Sequence, residues 1–123
     1  MIAHTSLVVG DYKTAKVFYT NILAAIGYTQ NMEYGEAAGF NDGENTDFWI
    51  ATHEQGVVPS HVAFAAKNKQ EVEAFYTAAI EAGATDNGAP GYRKEYWSGY
   101  YAAFVYDADG HNIEVVFFDH NEV

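Results

Sequence analysis

The chain has 123 residues, the length of one domain, and domains of this size bury roughly two-thirds of the surface an unfolded chain exposes. Hydrophobic residues make up 49% and aromatic residues 16%, so a core can form and disorder is not expected despite a formal net charge of −11. Seventeen Asp and Glu face only six Lys and Arg, with Arg93 the sole arginine, and this balance repels both nucleic-acid phosphates and anionic membrane surfaces. The lack of cysteine excludes disulfides, thiolate metal sites and a cysteine nucleophile. The first residues lack the basic-then-apolar pattern of a secretory signal, and no stretch approaches the roughly 18 apolar residues of a membrane span. A cytoplasmic protein is the expectation.

In chain order, Ile2 to Val9 is short, apolar and rich in β-branched residues, which predicts a strand. Asp11 is placed to cap a helix from Tyr12 to about Ala25, in which Ala15, Phe18, Tyr19, Ile22 and Leu23 recur at three- and four-residue steps. Tyr28–Tyr34, Glu36–Asn41 and Thr46–His53 are three strand candidates. A polar linker at 55–59 separates a first module, about 1–54, from a second, about 60–123, within one domain. The order then repeats: a strand at Ser60–Ala66, a helix at Gln70–Ala82, a Gly- and Pro-rich loop from Asn87 to Gly99, and strands at Tyr100–Tyr106 and His111–Phe118. Residue identities repeat too. At an offset of 57, His4 matches His61 and Phe18-Tyr19-Thr20 matches Phe75-Tyr76-Thr77; at an offset of 67, Asp42-Gly43 through Asp47 aligns with Asp109-Gly110 through Glu114. The predicted fold is α+β: two paired βαβββ modules forming a curved, eight-stranded mixed sheet with both helices on its convex side.

Strand alternation assigns the faces. Leu7 and Val9, Phe48 and Ile50, Val62 and Phe64, and Ile113, Val115 and Phe117 form the sides that cover the helices. His4, Asp47, Trp49, His61 and Glu114 then fall on the opposite side. Two imidazoles with one or two carboxylates suit a divalent ion such as Zn, Ni, Co, Fe or Mn. Glu114 is informative because an unpaired carboxylate in an apolar strand is costly.

These residues resemble the vicinal oxygen chelate superfamily, which includes glyoxalases, bleomycin-resistance proteins and dioxygenases. His4-x-x-Leu7-x-Val9-x-Asp11 with Phe18-Tyr19 is similar to its first-module signature, and His61 with Phe75-Tyr76 to the second. Asp107-Ala108-Asp109-Gly110-x-Asn112-x-Glu114 resembles its closing Asp-Pro-Asp-Gly turn and ligand glutamate. The resemblance implies a homodimer and a metal held by His4, His61 and Glu114. Asp47 stands as the fourth ligand by the repeat alignment, unless a one-step slip gives that place to Trp49. It also implies lyase or isomerase chemistry on a small oxygenated molecule through an enediolate-like anion, with Glu114 or Asp47 moving the proton. A thiol such as glutathione could serve as co-substrate. The alternatives within the resemblance are a metal-free drug-binding protein and an antibiotic thiol transferase.

The segment from Pro90 to Tyr100 adds substrate-binding candidates. Arg93 could grip a carboxylate or phosphate bidentately, with Tyr96, Trp97 and Tyr100 walling the pocket and Trp49 lining it. His53 is read as rim or surface, and His111 and His120 as solvated.

Overall fold

The structure, a computed structural model, describes residues 1–121. Strand β1 (Thr5–Val8) leads into helix α1 (Tyr12–Ala24) and strands β2 (Thr29–Glu33), β3 (Ala37–Asn41) and β4 (Thr46–Ala51). The second module follows with β5 (His61–Ala65), α2 (Lys69–Glu81), β6 (Thr85–Tyr92), β7 (Tyr100–Tyr106) and β8 (Asn112–Phe118). Each helix starts where a capping side chain satisfies an orphan amide: Asp11 accepts from the Thr14 N–H, and Asn68 from the Glu71 N–H. Ala15, Tyr19, Ile22 and Leu23 of α1, and Val72, Phe75 and Ala79 of α2, form the buried stripes. Burying one such large side chain contributes about 1.5–3 kcal/mol, so tertiary packing rather than propensity holds these 13-residue helices. Among the described residues no helix is long and apolar enough to cross a membrane.

The two βαβββ modules form as their sequences predict, each with one parallel and two antiparallel strand pairings. Within one chain, however, the eight strands make two four-stranded sheets, ordered β1-β4-β3-β2 and β5-β8-β7-β6, rather than one continuous sheet. The reason lies in the core. The helix-side faces of both sheets share one cluster that includes Leu7, Phe40, Phe48, Ile50, Phe64, Ile113 and Val115. The Phe48 and Phe64 rings, one from each sheet, meet edge to face at 4.9 Å. The opposite face of the second sheet carries its own small cluster, Ala102, Phe104 and Val116 with Tyr100 against them.

Two expectations are corrected. Asn87 to Gly99 is not all loop, because Thr85–Tyr92 forms β6 and pairs with β7. Its register shifts on either side of Gly88, which erases the alternation that marks a strand. Pro90 is tolerated because β6 is the sheet edge. His111 is not solvated but completely buried. The Ser60 N–H donates to its Nδ1 at 2.9 Å, which leaves the proton on Nε2 to donate to the Val8 carbonyl at 2.7 Å. A neutral imidazole thus ties the second module's turn to the first module's leading strand. Nearby, the Tyr19 hydroxyl donates to Asp107 and the Gly10 N–H to Asp109, completing a polar staple between the modules.

Candidate metal centre

The parallel pairing of β5 with β8 sets Ala63 beside Glu114 and His61 beside Asn112. It thereby places the His61 and Glu114 side chains on the face away from α2, with His61 Nε2 2.9 Å from Glu114 Oε1. The Asn112 carbonyl, 3.0 Å from His61 Nδ1, accepts the proton there and turns Nε2 toward the carboxylate. Glu114 is only 3% exposed, in the middle of an apolar strand. Its second oxygen, Oε2, accepts a short hydrogen bond from the Tyr100 hydroxyl. Burial, reinforced by the bond to Glu114 and by its charge, pushes the Tyr100 phenol well above its ordinary value, so it stays a donor at neutral pH. The buried carboxylate therefore has a partner at each oxygen.

Above this pair lies a pocket of about 530 Å³ lined by His61, Glu95, Tyr96, Trp97, Tyr100, Phe104, Asn112 and Glu114. Tyr96 and Trp97 each set an edge against the Tyr100 ring, at 5.0 and 4.8 Å, and Trp97 stacks on Phe118. Both rings are more than half exposed, which leaves them available to a ligand. The loop that carries them is clamped at Gly99, whose φ of +83° and close approach to the Asp119 carbonyl (2.2 Å from where a Cβ would stand) admit only glycine. Phe104, directly across the ladder from Glu114, was not singled out in the sequence although alternation along β7 places it there. Glu95 was also missed, because no local pattern distinguishes one exposed loop acid among seventeen acidic residues.

The remaining candidates fall elsewhere. His4 is exposed and immediately precedes β1. Among the described residues it joins no cluster with His61 and Glu114; the one group of three potential ligands within 4.8 Å of each other is Asp107, Asp109 and His111. Those atoms are already committed to the inter-module staple. Ser6 pairs with Trp49 as Ala63 pairs with Glu114, and Ser6 and Ala63 are equivalent at the 57-residue offset. The ladder therefore gives the repeat position of Glu114 to Trp49, not to Asp47. Asp47 occupies the extra position where the register slips between Phe40 and Asn41, and it accepts from the Tyr28 hydroxyl at 3.0 Å. Trp49 stacks on Tyr34 in the first module, outside the pocket of the second. Arg93 is not among the pocket's lining residues: it donates to the Gly91 and Ala89 carbonyls at 2.9 and 2.8 Å and lies over the Phe104 ring. His53 and His120 are exposed, as expected. A second concavity of similar size, between α1 and the β7–β8 turn, has mainly apolar walls, and its Asp107 and Asp109 belong to the staple.

The sequence profile of the Glyoxalase/Bleomycin resistance protein/Dioxygenase superfamily matches residues 1–115. The chain belongs to that superfamily. A glyoxalase/bleomycin resistance protein from Albidiferax ferrireducens T118 is 24% identical with a TM-score of 0.83, over 94% of this chain and 97% of that one. A lactoylglutathione lyase from Agrobacterium tumefaciens is 18% identical with a TM-score of 0.73, over 95% and 92%. A glyoxalase-related enzyme from Fulvimarina pelagi is 19% identical, also at 0.73, over 95% and 87%. At these identities the likeness is one of fold. No curated protein matches the chain.

Members of the superfamily typically bind a metal. The donors on β5 and β8 fit one: two bonds of about 2.0–2.2 Å to a single ion place an imidazole nitrogen and a carboxylate oxygen about 2.8–3.6 Å apart, from a right angle to a tetrahedral one. The observed 2.9 Å separation meets that requirement. The carbonyl behind His61 and the phenol behind Glu114 are the kind of partners that orient metal ligands.

Proposed function

We propose that this chain is a divalent-metal-dependent lyase or isomerase acting on a small oxygenated molecule, and that it works as a homodimer whose site is completed by a second copy. The observation that carries the reading is the His61–Glu114 pair at the base of an aromatic pocket, its carboxylate buried and its imidazole fixed from behind. The dimer reading rests on which faces are in use. Trp49 belongs to the open face of the first sheet, with His4 immediately before its strand β1, and His61 and Glu114 belong to the open face of the second, while both sheets spend their other faces on the common core. In each sheet the strand that follows or bears a proposed histidine ligand, β1 after His4 and β5 with His61, stands at the edge, where another strand can be added.

His61 Nε2 and Glu114 Oε1 would hold the metal, with His4 supplied by the second copy. The bound ion would contribute Lewis-acid polarisation of a substrate oxygen. Glu114, its Oε1 freed when substrate binds, would take a proton from the carbon α to the polarised carbonyl and return it to the carbonyl carbon. The α-hydroxyl proton passes to the carbonyl oxygen, so the isomerisation gains and loses no net proton. Tyr100 holds Oε2 throughout, so the carboxylate stays aimed at the substrate. Tyr96 and Trp97 wall the substrate from water.

Metal analysis of protein purified without chelators tests this directly. About one divalent ion per protomer is expected. Unchanged stoichiometric binding by both His61→Ala and Glu114→Gln would overturn the assignment.

A further inference from the structure

None of the eight strands, all within the described residues, contains a lysine or an arginine. The six cationic side chains sit elsewhere: Lys13 and Lys16 on α1, Lys67 and Lys69 at the start of α2, and Arg93 and Lys94 in the β6–β7 loop. The strands that build the site therefore supply it with no cationic side chain. The pocket itself is lined by two carboxylates, Glu95 and Glu114, and by four aromatic rings. Those two carboxylates match the charge of one divalent ion, so a loaded site gains no net attraction for anions. Arg93, the group that could have recognised an anion, spends two N–H groups on backbone carbonyls and stacks on Phe104. At long range the net charge of −11 repels anions as well.

We propose that the site takes an aromatic molecule of zero or positive charge and rejects anionic ligands, thiol–peptide conjugates of the glutathione type included. This rests on the metal-site reading for the chemistry, but the selection belongs to the pocket walls alone. Tyr96 and Trp97 are each more than half exposed, Trp97 with one face already stacked on Phe118, and their exposed ring surface can stack on an aromatic ligand and attract a cation. Glu95 at the rim adds a charge partner for an amine.

Four probes test it by isothermal titration: naphthylmethylamine, naphthalenemethanol, naphthoate and S-hexylglutathione, each on metal-loaded and metal-free protein. On both forms the amine and the alcohol should bind at least about tenfold more tightly than naphthoate, with S-hexylglutathione weakest. Trp97→Ala should weaken amine and alcohol together, Glu95→Gln should shrink only the amine's advantage, and Arg93→Ala should leave the order unchanged. Naphthoate or S-hexylglutathione binding as tightly as the amine on metal-free protein would overturn the proposal, as would insensitivity to Trp97→Ala. Metal content measured on the same samples separates the two readings. A retained ion with a reversed ligand order overturns only this proposal, and the expected order without metal binding overturns only the metal-dependent function.

Discussion

The two modules repeat one backbone but have specialised their open faces in opposite ways. Trp49 and Glu114 occupy equivalent ladder positions, and the residues across from them are Gly39 and Phe104. In the first module a large ring lies over a residue with no side chain: a Cβ on Gly39 would come within 2.9 Å of the Trp49 ring and 2.8 Å of the Thr46 methyl. In the second, a buried carboxylate lies beside a phenylalanine, with a phenol donating to one oxygen and an imidazole nitrogen 2.9 Å from the other. One face is filled and the other is chemically equipped. An internal repeat thus keeps one architecture while the two modules arm it unequally, the buried carboxylate standing only in the second.

The largest expected effect separates the two positions. Glu114→Gln should lower divalent-metal affinity by at least about 100-fold, while Trp49→Ala leaves it within about threefold. Comparable losses, read by competition with a chromogenic chelator, would show that Trp49 belongs to the metal site as much as Glu114 does. Tyr100→Phe comes next. Removing the hydroxyl behind Glu114 should weaken metal binding by about 10- to 100-fold while leaving the fold intact by circular dichroism. Unchanged affinity would mean that the phenol does not orient the carboxylate.

Much of this organisation is legible in the sequence. The repeats, the capped helices, the helix-side stripes and the shared face of His61 and Glu114 all follow from periodicities of 3.6 and 2, which local chemistry dictates. What escaped depends on departures from those periods or on contacts between distant segments. The extra residue in β4 shifts the face by one step, so alignment by identity alone selected Asp47 over Trp49. The irregularities around Gly88 hid β6 in the same way. His111 looks solvated beside its turn, because the Val8 carbonyl that buries it is 103 residues away. Arg93 reads as a free cation until the carbonyls of Gly91 and Ala89 are seen to hold it.

Smaller effects sharpen the packing half of the comparison. Gly39→Ala should destabilise the protein by about 1–3 kcal/mol, lowering the melting temperature by roughly 3–12 °C for a domain of this size. Adding Trp49→Leu should recover part of that loss; no recovery would place the strain elsewhere. The smallest effect is alkaline. Tyr12 and Tyr101 are pushed up to about 12, by burial first and then by Glu33 and Glu73 respectively, and Tyr19, Tyr28 and Tyr100 are raised further. Between pH 10 and 12 the native chain therefore binds more protons than the unfolded one. The stability these phenols contribute is complete below pH 10 and is lost as pH rises through 12. The urea midpoint should fall from pH 7 to pH 11, and equal midpoints would contradict the shifts.

The most direct test asks whether one site draws on two chains. His4→Ala and Glu114→Gln are prepared separately, shown to bind no ion, mixed at equal concentration under exchange conditions, and weighed by native mass spectrometry with added zinc. A site shared between protomers predicts that the mixed dimers, and only they, carry one tightly held ion, because one of their two sites has both native residues. Mixed dimers that carry none, or wild-type monomers that each hold an ion unaided, would contradict it.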